Sequence, residues 1–357
     1  MPRIRGLLPP DLPAVAALFR STFGTGHWRG ANRLEAYLQD ALRGGPWYDE
    51  ALSSLVYETD DGAVGGFLGV LPRPMVLRGR RLRAVVSTKF MVAGGHGRGG
   101  PAAVALLKAL MAMPHDLVLA DVGSDDMRRL WEALGGGTVL LYSLYWRRQL
   151  RPFRHAVSWL RKQKVYGRPA LGLRPFHRPA DALFGRLSVN RFHRPPAGSA
   201  TSELDEATFL AHYSELAGPA SLRVEFDAPA YRWTLEMAAA GRPASALRKR
   251  AVRAAGGEVL GWYVCAVERA RDWEVLHFLS RPAATADVLS HLFAEAWANG
   301  AVTVHGRIDP QQIREFSARH AAIGSGPPWM LAHSRHPEVL EALYRGNASL
   351  SRLEGEW

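Results

Sequence analysis

Apolar positions recur at helical spacing over residues 10–23 and again over 32–42, after which the period changes. Residues 54–58 read as a short apolar strand, Asp60-Asp61-Gly62 as a turn, and 64–71 as an unbroken apolar run of strand length. A further strand starts at Val85 and passes through Met91 and Val92 into a turn holding Gly95, Gly97, Gly99 and Gly100. The pattern then predicts a helix from Pro101 to about Met113. Proline suits its first position, because the N–H it lacks would have no partner there. Residues 116–122 read as a buried strand, 124–135 as a helix and 139–147 as a final strand. Ser124 is placed to cap that helix, with Asp125 and Asp126 opposing the dipole in its first turn.

The second half repeats this succession in outline. Helices are predicted over 204–216 and 230–239, and strands over 248–254 and 259–268 around an Ala-Gly-Gly-Glu turn. A strand over 274–280 leads into a helix near Pro282, followed by a strand over 302–308 and a helix over 310–319. The loop from Ser280 to Asp287 has no glycine, so its backbone could not closely approach a pyrophosphate. The length of 357 residues suits two domains, each with its own core. The expected division is a domain over 1–150, a connector over 151–200 and a second domain over 201–357.

The glycine-rich turn between Val92 and Pro101 lets several backbone N–H groups face one small volume, directly before a helix N-terminus. That combination is a phosphate cradle. It resembles the cofactor loop of the GNAT acetyltransferase superfamily, Arg/Gln-x-x-Gly-x-Gly/Ala after a strand. His96 stands at the Arg/Gln position, Gly99 at the first glycine and Pro101 at the last position, so two of the three depart from the pattern. Residues 124–135 resemble the second motif, Asn-x-x-Ala-x-x-x-Tyr-x-x-x-Gly, with Trp131 in the place of tyrosine.

The resemblance covers roughly residues 1–150. It implies an α/β fold with a mixed sheet, built as two tandem GNAT-like acyl-CoA N-acyltransferase domains joined by a basic, proline-rich connector. The second domain, lacking the glycine loop, would be degenerate and would wall the acceptor pocket. Gly97, Arg98, Gly99, Gly100, His96 and Ala102 would hold the pyrophosphate of acetyl-CoA or another acyl-CoA. The strand edge at Met91 and Val92 would pair with the pantetheine arm, and Ser124 and Trp131 would complete the cofactor site. The acyl group would pass directly to the amine of a small molecule, with no metal. In many relatives the motif tyrosine protonates the leaving thiolate, which an indole N–H cannot do. Tyr142 or Tyr145 on the following strand would then serve, or the thiolate leaves unassisted. Asp121 is the foremost candidate for general base, with Glu58 and His27 behind it. The alternative for Asp121 is a helix-capping or solvated carboxylate. Tandem folds of this kind also occur in FemAB-type aminoacyltransferases, which use aminoacyl-tRNA, and a non-catalytic acyl-CoA-binding protein is a third reading. The tail over 347–357 resembles that of tandem bacterial GNAT-like proteins.

Composition changes this picture in one place. The net charge of +12 is concentrated in 151–194, where eleven arginines and lysines face Asp181 alone. Three readings are open for this segment: binding an anion such as a cofactor phosphate or transfer RNA, resting on an anionic membrane surface, or acting as a solvated linker. No nucleic-acid module signature accompanies it, and DNA is not an expected partner. The single cysteine, Cys265, excludes an internal disulfide and lies in an apolar strand pattern. No apolar run reaches 18 residues, and the expected location is cytoplasmic. Thirteen histidines include His193, His212, His333 and His336, none with partners at metal spacing. His27-Trp28 falls where this fold places an acceptor-binding loop.

Overall fold

The computed structural model describes residues 2–24, 31–94, 100–162, 174–185, 195–219, 221–268 and 272–355. The first stretch runs β1 (Arg3–Gly6), α1 (Leu12–Phe23), α2 (Ala31–Arg43), β2 (Leu55–Glu58) and β3 (Val64–Pro72). A hairpin follows, β4 (Met75–Leu77) and β5 (Arg80–Leu82), and its two-residue turn puts both Arg78 and Gly79 at positive φ. Then come β6 (Ala84–Val92), α3 (Pro101–Ala112), β7 (Leu117–Gly123), α4 (Asp125–Ala133), β8 (Gly137–Thr138) and β9 (Leu144–Gln149).

The chain continues through α5 (Pro152–Lys162), α6 (Arg174–Phe184), β10 (Ser199–Glu203), α7 (Glu206–Leu216), β11 (Leu222–Val224) and α8 (Ala228–Ala240). A meander of β12 (Ser245–Ala254), β13 (Val259–Glu268) and β14 (Asp272–Ser280) leads to α9 (Thr285–Ala298), β15 (Thr303–Arg307) and α10 (Ile313–Ala318). The end of the chain adds β16 (Ala322–Ser325), β17 (Trp329–Ser334), α11 (Pro337–Tyr344) and β18 (Ala348–Ser349).

Two compact units emerge, interleaved along the sequence: 1–144 with 213–243 and 325–357, and 145–212 with 244–324. These differ from a sequential division at 150 and 200, because strands far apart in sequence complete each sheet. In the first unit the main sheet runs β1-β2-β3-β6-β7-β17-β8, and a smaller one runs β18-β11-β4-β5. In the second unit the order is β10-β12-β13-β14-β15-β9-β16. The expected final strand over 139–147 is thus corrected: Leu140–Ser143 forms a 3-10 turn, and β9 pairs antiparallel with β15. Burying Trp146 against Phe293 and Phe316 holds β9 there. The place next to β7 is taken instead by β17, paired antiparallel from Ser334↔Leu117 to Trp329↔Gly123.

The main sheet of the first unit is buried on both faces, and its alternation sorts the core. Val86, Leu117 and Leu119 pack with Val15, Leu34 and Leu38 of α1 and α2. Val85, Val118 and Ala120 face Leu106, Leu107 and Leu110 of α3 and Trp131 of α4. In the basic segment, expected to be irregular in large part, α6 forms beside α5; the rest of 163–194 lies outside the described residues.

Candidate functional site

The one parallel pairing described in the first unit's sheets besides the short β11–β18 contact is β6 with β7, from Ala84↔Leu117 to Ser87↔Ala120. Beyond those residues both strands continue, to Val92 and Gly123, without pairing to each other. The cause is a bulge. On the β3 side the register steps from Gly69↔Thr88 to Phe67↔Met91, so Lys89 and Phe90 together oppose Leu68. Lys89 sits at φ 49°, a conformation that non-glycine residues adopt rarely and that turns β6 away from β7.

Behind the end of β6 stands the N-terminus of α3. Gly100 occupies its cap with φ −72° and ψ 168°, Pro101 begins the helix, and no side chain caps it. The Ala103 N–H turns back to the Gly100 carbonyl at 3.0 Å, and among the described residues no side chain neutralises the positive end of this 12-residue helix. The gap in the sheet supplies ladder groups for an extended polar chain, and the helix end suits a phosphate, so the residues present fit an acyl-CoA. The glycines and side chains expected to line the turn, His96, Gly97, Arg98 and Gly99, lie outside the described residues, as do His27 and Trp28.

Of the remaining cofactor candidates, Ser124 caps α4 as expected, its hydroxyl accepting from the Met127 N–H at 3.2 Å. Val92 is half-buried opposite Gly66. Met91 and Ala102 are buried, Met91 pairing with Phe67 on the β3 side. Trp131 is fully buried, and its indole N–H donates to the Ala332 carbonyl of β17 at 3.1 Å. A Cβ on Gly136 would lie 1.9 Å from its ring, so the turn after α4 is shaped around the indole. Trp131 thus has no surface to offer a cofactor in this conformation.

Asp121 lies near the end of β7, on the face that packs against α1 and α2, and it is neither a cap nor solvated. It is only 2% exposed, and the Arg352 guanidinium binds its carboxylate at 2.8 Å. A Cβ on Gly355 would fall 2.0 Å from Asp121 Oδ2, so glycine is needed where the tail passes the carboxylate. Leu353 and Glu354 of the same tail are buried, and the Glu354 carbonyl accepts from Arg73 Nε at 2.9 Å. Arg73 is itself buried, its guanidinium lying 5.2 Å from the Trp47 ring centre and 5.1 Å from that of Trp233. Burial pulls its pKa down to about 9, with Glu354 foremost among the charges that oppose the fall. It stays cationic at neutral pH.

Tyr142 belongs to the 3-10 turn and not to a strand. Its buried hydroxyl donates to the Ala348 carbonyl at 2.6 Å and accepts the Ala348 N–H at 2.7 Å. Its proton is committed to holding β18. Tyr145 stands on β9 in the second unit, 44% exposed. Glu58 is engaged by Arg5 and Arg3, at 2.5 and 2.8 Å, and Arg5 foremost holds its carboxyl below the usual range. Two residues near the gap escaped the sequence reading. Lys89 is buried, donates to Thr88 Oγ1 at 3.2 Å, and lies 5.4 Å from the centre of the Tyr37 ring. Arg352 was missed because its partner is 231 positions away.

In the second unit the parallel β14–β15 pairing likewise ends, at Val275↔Gly306, while β14 runs on to Ser280 past a bulge at Leu276. The difference lies in the turn that follows. The parallel pair β14–β15 leads through a 3-10 turn over Pro282–Ala284 directly into α9, and Ser280 Oγ and Thr285 Oγ1 meet at 2.8 Å. Cys265 is buried on β13, and burial pushes its thiol well up. His336 pairs with Asp116 at 2.9 Å, and His333 lies on β17 beside His115; His212 lies on α7, and His193 is outside the described residues.

No protein-family model matches the chain. No curated protein matches it either. Solved structures do. A conserved protein of unknown function from Enterococcus faecalis V583, described as a probable N-acyltransferase, aligns with a TM-score of 0.59 at 11% identity, covering 94% of this chain and 73% of that one. A GCN5-related N-acetyltransferase from Anabaena variabilis ATCC 29413 gives 0.58 at 11% identity, covering 94% and 74%. Saccharomyces cerevisiae N-myristoyltransferase, with bound myristoyl-CoA, gives 0.52 at 10% identity, covering 98% and 84%. Identities this low speak for the fold alone. They show that this chain shares its fold with GCN5-related N-acetyltransferases and with N-myristoyltransferase.

Proposed function

We propose that this chain transfers an acyl group from an acyl-CoA to an amine, with the cofactor held in the first unit. The observation that carries the reading is the meeting of an uncapped α3 N-terminus with the strand gap opened by the Lys89 bulge. The S. cerevisiae N-myristoyltransferase that shares this fold was solved with myristoyl-CoA bound, which supports an acyl-CoA as the donor. The thioester supplies the activated acyl group. The chain's part is to bind and orient: α3 takes the pyrophosphate through its first-turn N–H groups, and the β6 edge at Met91 and Val92 aligns the pantetheine arm. Acetyl is the donor group we favour, and a small metabolite the acceptor. Asp121 is the group proposed to take the amine's proton, once the amine displaces Arg352 from it. The second unit, in which Ser280 and Thr285 close the corresponding turn, is proposed to be a GNAT-like domain without a cofactor site.

A second reading has its own observation. Asp121 is tied to Arg352, and both hydrogen-bonding roles of the Tyr142 hydroxyl are taken by Ala348. A chain with no accessible acid or base would bind acyl-CoA without turning it over. Thiol release from acetyl-CoA, measured across a panel of primary amines, separates the two. Amine-dependent release supports transfer. Cofactor binding with no release from any amine favours the binding protein, and absence of binding overturns both.

A further inference from the structure

Where α3 ends, the chain turns through Met113 and Pro114 toward β7, and His115 stands in that turn. Its side chain is buried, and Nε2 lies 2.9 Å from the Leu110 carbonyl in the last turn of α3. A carbonyl only accepts, so Nε2 carries the proton of the neutral ring and Nδ1 is a bare lone pair. That Nδ1 is buried and has no hydrogen-bond partner among the described residues. A second imidazole comes to the same place from β17. His333 pairs with Val118, and Val118 packs on α3, so the His333 side chain takes that face of the sheet. The two rings meet edge-on with centres 6.5 Å apart, and His333 Nδ1 is likewise buried with no partner among the described residues. Arg335, two residues on, donates to the Met111 and Ala112 carbonyls at 3.5 and 3.4 Å. The C-terminal end of α3 is thus fastened to β17 through two imidazoles and a guanidinium.

This corner has no place for an added proton. On either Nδ1 a proton would create a buried N–H with no acceptor. The charges around the rings oppose it as well. Arg335 bears on both imidazoles and His333 on His115, against Asp116 alone. Asp116 is already engaged, accepting the Arg83 N–H at 2.7 Å and pairing with His336 Nε2 at 2.9 Å. Burial foremost, with Arg335 adding to it, pulls both imidazoles below their usual 6.5, so both are neutral at pH 7. Burial acts the other way on Asp116, but the Arg83 N–H and His336 still hold its carboxyl below the usual range. Asp116 therefore stays ionised while the two rings titrate.

We propose that His115 and His333 form an acid-released latch between the end of α3 and β17, closed while both rings are neutral and opened when they take up protons. The unfolded chain protonates these rings at about 6.5 and the folded chain only at lower pH. The latch therefore contributes fully above 6.5, and its contribution is lost as pH falls below that value.

The test is a nuclear magnetic resonance titration of the histidine ring nitrogens in the full chain, from about pH 8 to about pH 5. His115 should show a protonated Nε2 and a bare Nδ1, and both rings should titrate below 6.5. Urea unfolding of the wild type and of His115→Gln with His333→Gln, at about pH 7.5 and about pH 5, reads the energetic side. Glutamine at 115 keeps a donor for Leu110 and cannot titrate. The wild type's unfolding constant should rise by up to about tenfold per pH unit per imidazole below the unfolded midpoint. The double variant should lack that rise, and groups common to both chains, His291 and His305 among them, cancel. His333→Gln alone should remove part of the rise, and it serves if the double variant does not fold. Hydrogen exchange, corrected for the intrinsic rate at each pH, should open the end of α3 and the start of the 115–118 segment before α9. A His115 ring that titrates at or above 6.5, or the same pH dependence in wild type and variants, overturns the proposal. So does acid-induced exchange spread evenly over the chain. None of these outcomes depends on whether the chain transfers acyl groups.

Discussion

Replacing Gly100 by aspartate uses the same backbone groups for two competing purposes. Gly100 holds φ −72° and ψ 168°, open to any residue, and α3 has no side-chain cap and no acid in its first turn. An aspartate there would accept from the first-turn N–H groups of Ala102 and Ala103 and oppose the dipole. Helix stability should therefore hold or rise, by a few tenths to about 1 kcal/mol. A phosphate needs those same groups. Losing one charge-assisted hydrogen bond costs about 1.5–3 kcal/mol, and a like charge about 4 Å away adds about 1 kcal/mol in water-like surroundings. The sum of about 2.5–4 kcal/mol corresponds to a roughly 70- to 1000-fold weaker complex. Calorimetric titration of coenzyme A, paired with thermal unfolding, reads both sides. The expected outcome is a Kd raised at least fiftyfold with Tm unchanged or higher, and an intermediate loss for Gly100→Ser, which caps without charge. If Gly100→Asp binds coenzyme A as tightly as the wild type, the α3 N-terminus is not the phosphate site.

Asp121→Asn should lower amine-dependent thiol release by about 10²–10⁴ if this carboxylate takes the proton. It should also cost roughly 1–3 kcal/mol by leaving Arg352 facing a neutral amide, as urea unfolding would show. Gly136→Ala should destabilise the fold by about 1–3 kcal/mol in urea, because its Cβ would press at 1.9 Å on a Trp131 ring that its bond to Ala332 holds in place. Burial pushes Asp309 up from 3.8 to about 6, so the folded chain holds this proton more tightly than the unfolded one. That contribution is complete below 3.8 and is lost as pH rises through about 6, an upper bound of about 3 kcal/mol. Asp309→Asn keeps the acceptor for the Gln311 N–H. It should therefore be more stable than the wild type at pH 7, with the difference vanishing near about pH 4.

Most local structure was legible because it depends on neighbours in sequence. The periodicity over 10–23 and 32–42 gave α1 and α2, and the strand, glycine turn and Pro101 gave β6 and α3. The pairing of distant segments was not legible. Nothing in Trp329–Ser334 says that it sits beside β7, and nothing in Leu144–Gln149 says that it leaves for the other sheet. The β4–β5 hairpin was missed because its turn puts an arginine, Arg78, at positive φ, where sequence reasoning looks for asparagine or glycine. At the site, the positions of Asp121 and Ser124 at their strand and helix ends could be read. Their partners could not. The Arg352 guanidinium and the Ala348 backbone arrive from the far end of the chain to engage Asp121 and Tyr142. The bulge at Lys89 left no trace in the hydrophobic pattern, because a single extra residue looks like ordinary strand.

The central claim is that the end of β6 and the start of α3 hold an acyl-CoA. Amide hydrogen exchange with and without saturating coenzyme A addresses it directly. The account predicts slowed exchange in peptides covering Met91–Val92 and the first turn of α3, with the β14–α9 junction at Ser280–Thr285 unchanged. Protection at that junction, or none anywhere, would contradict it.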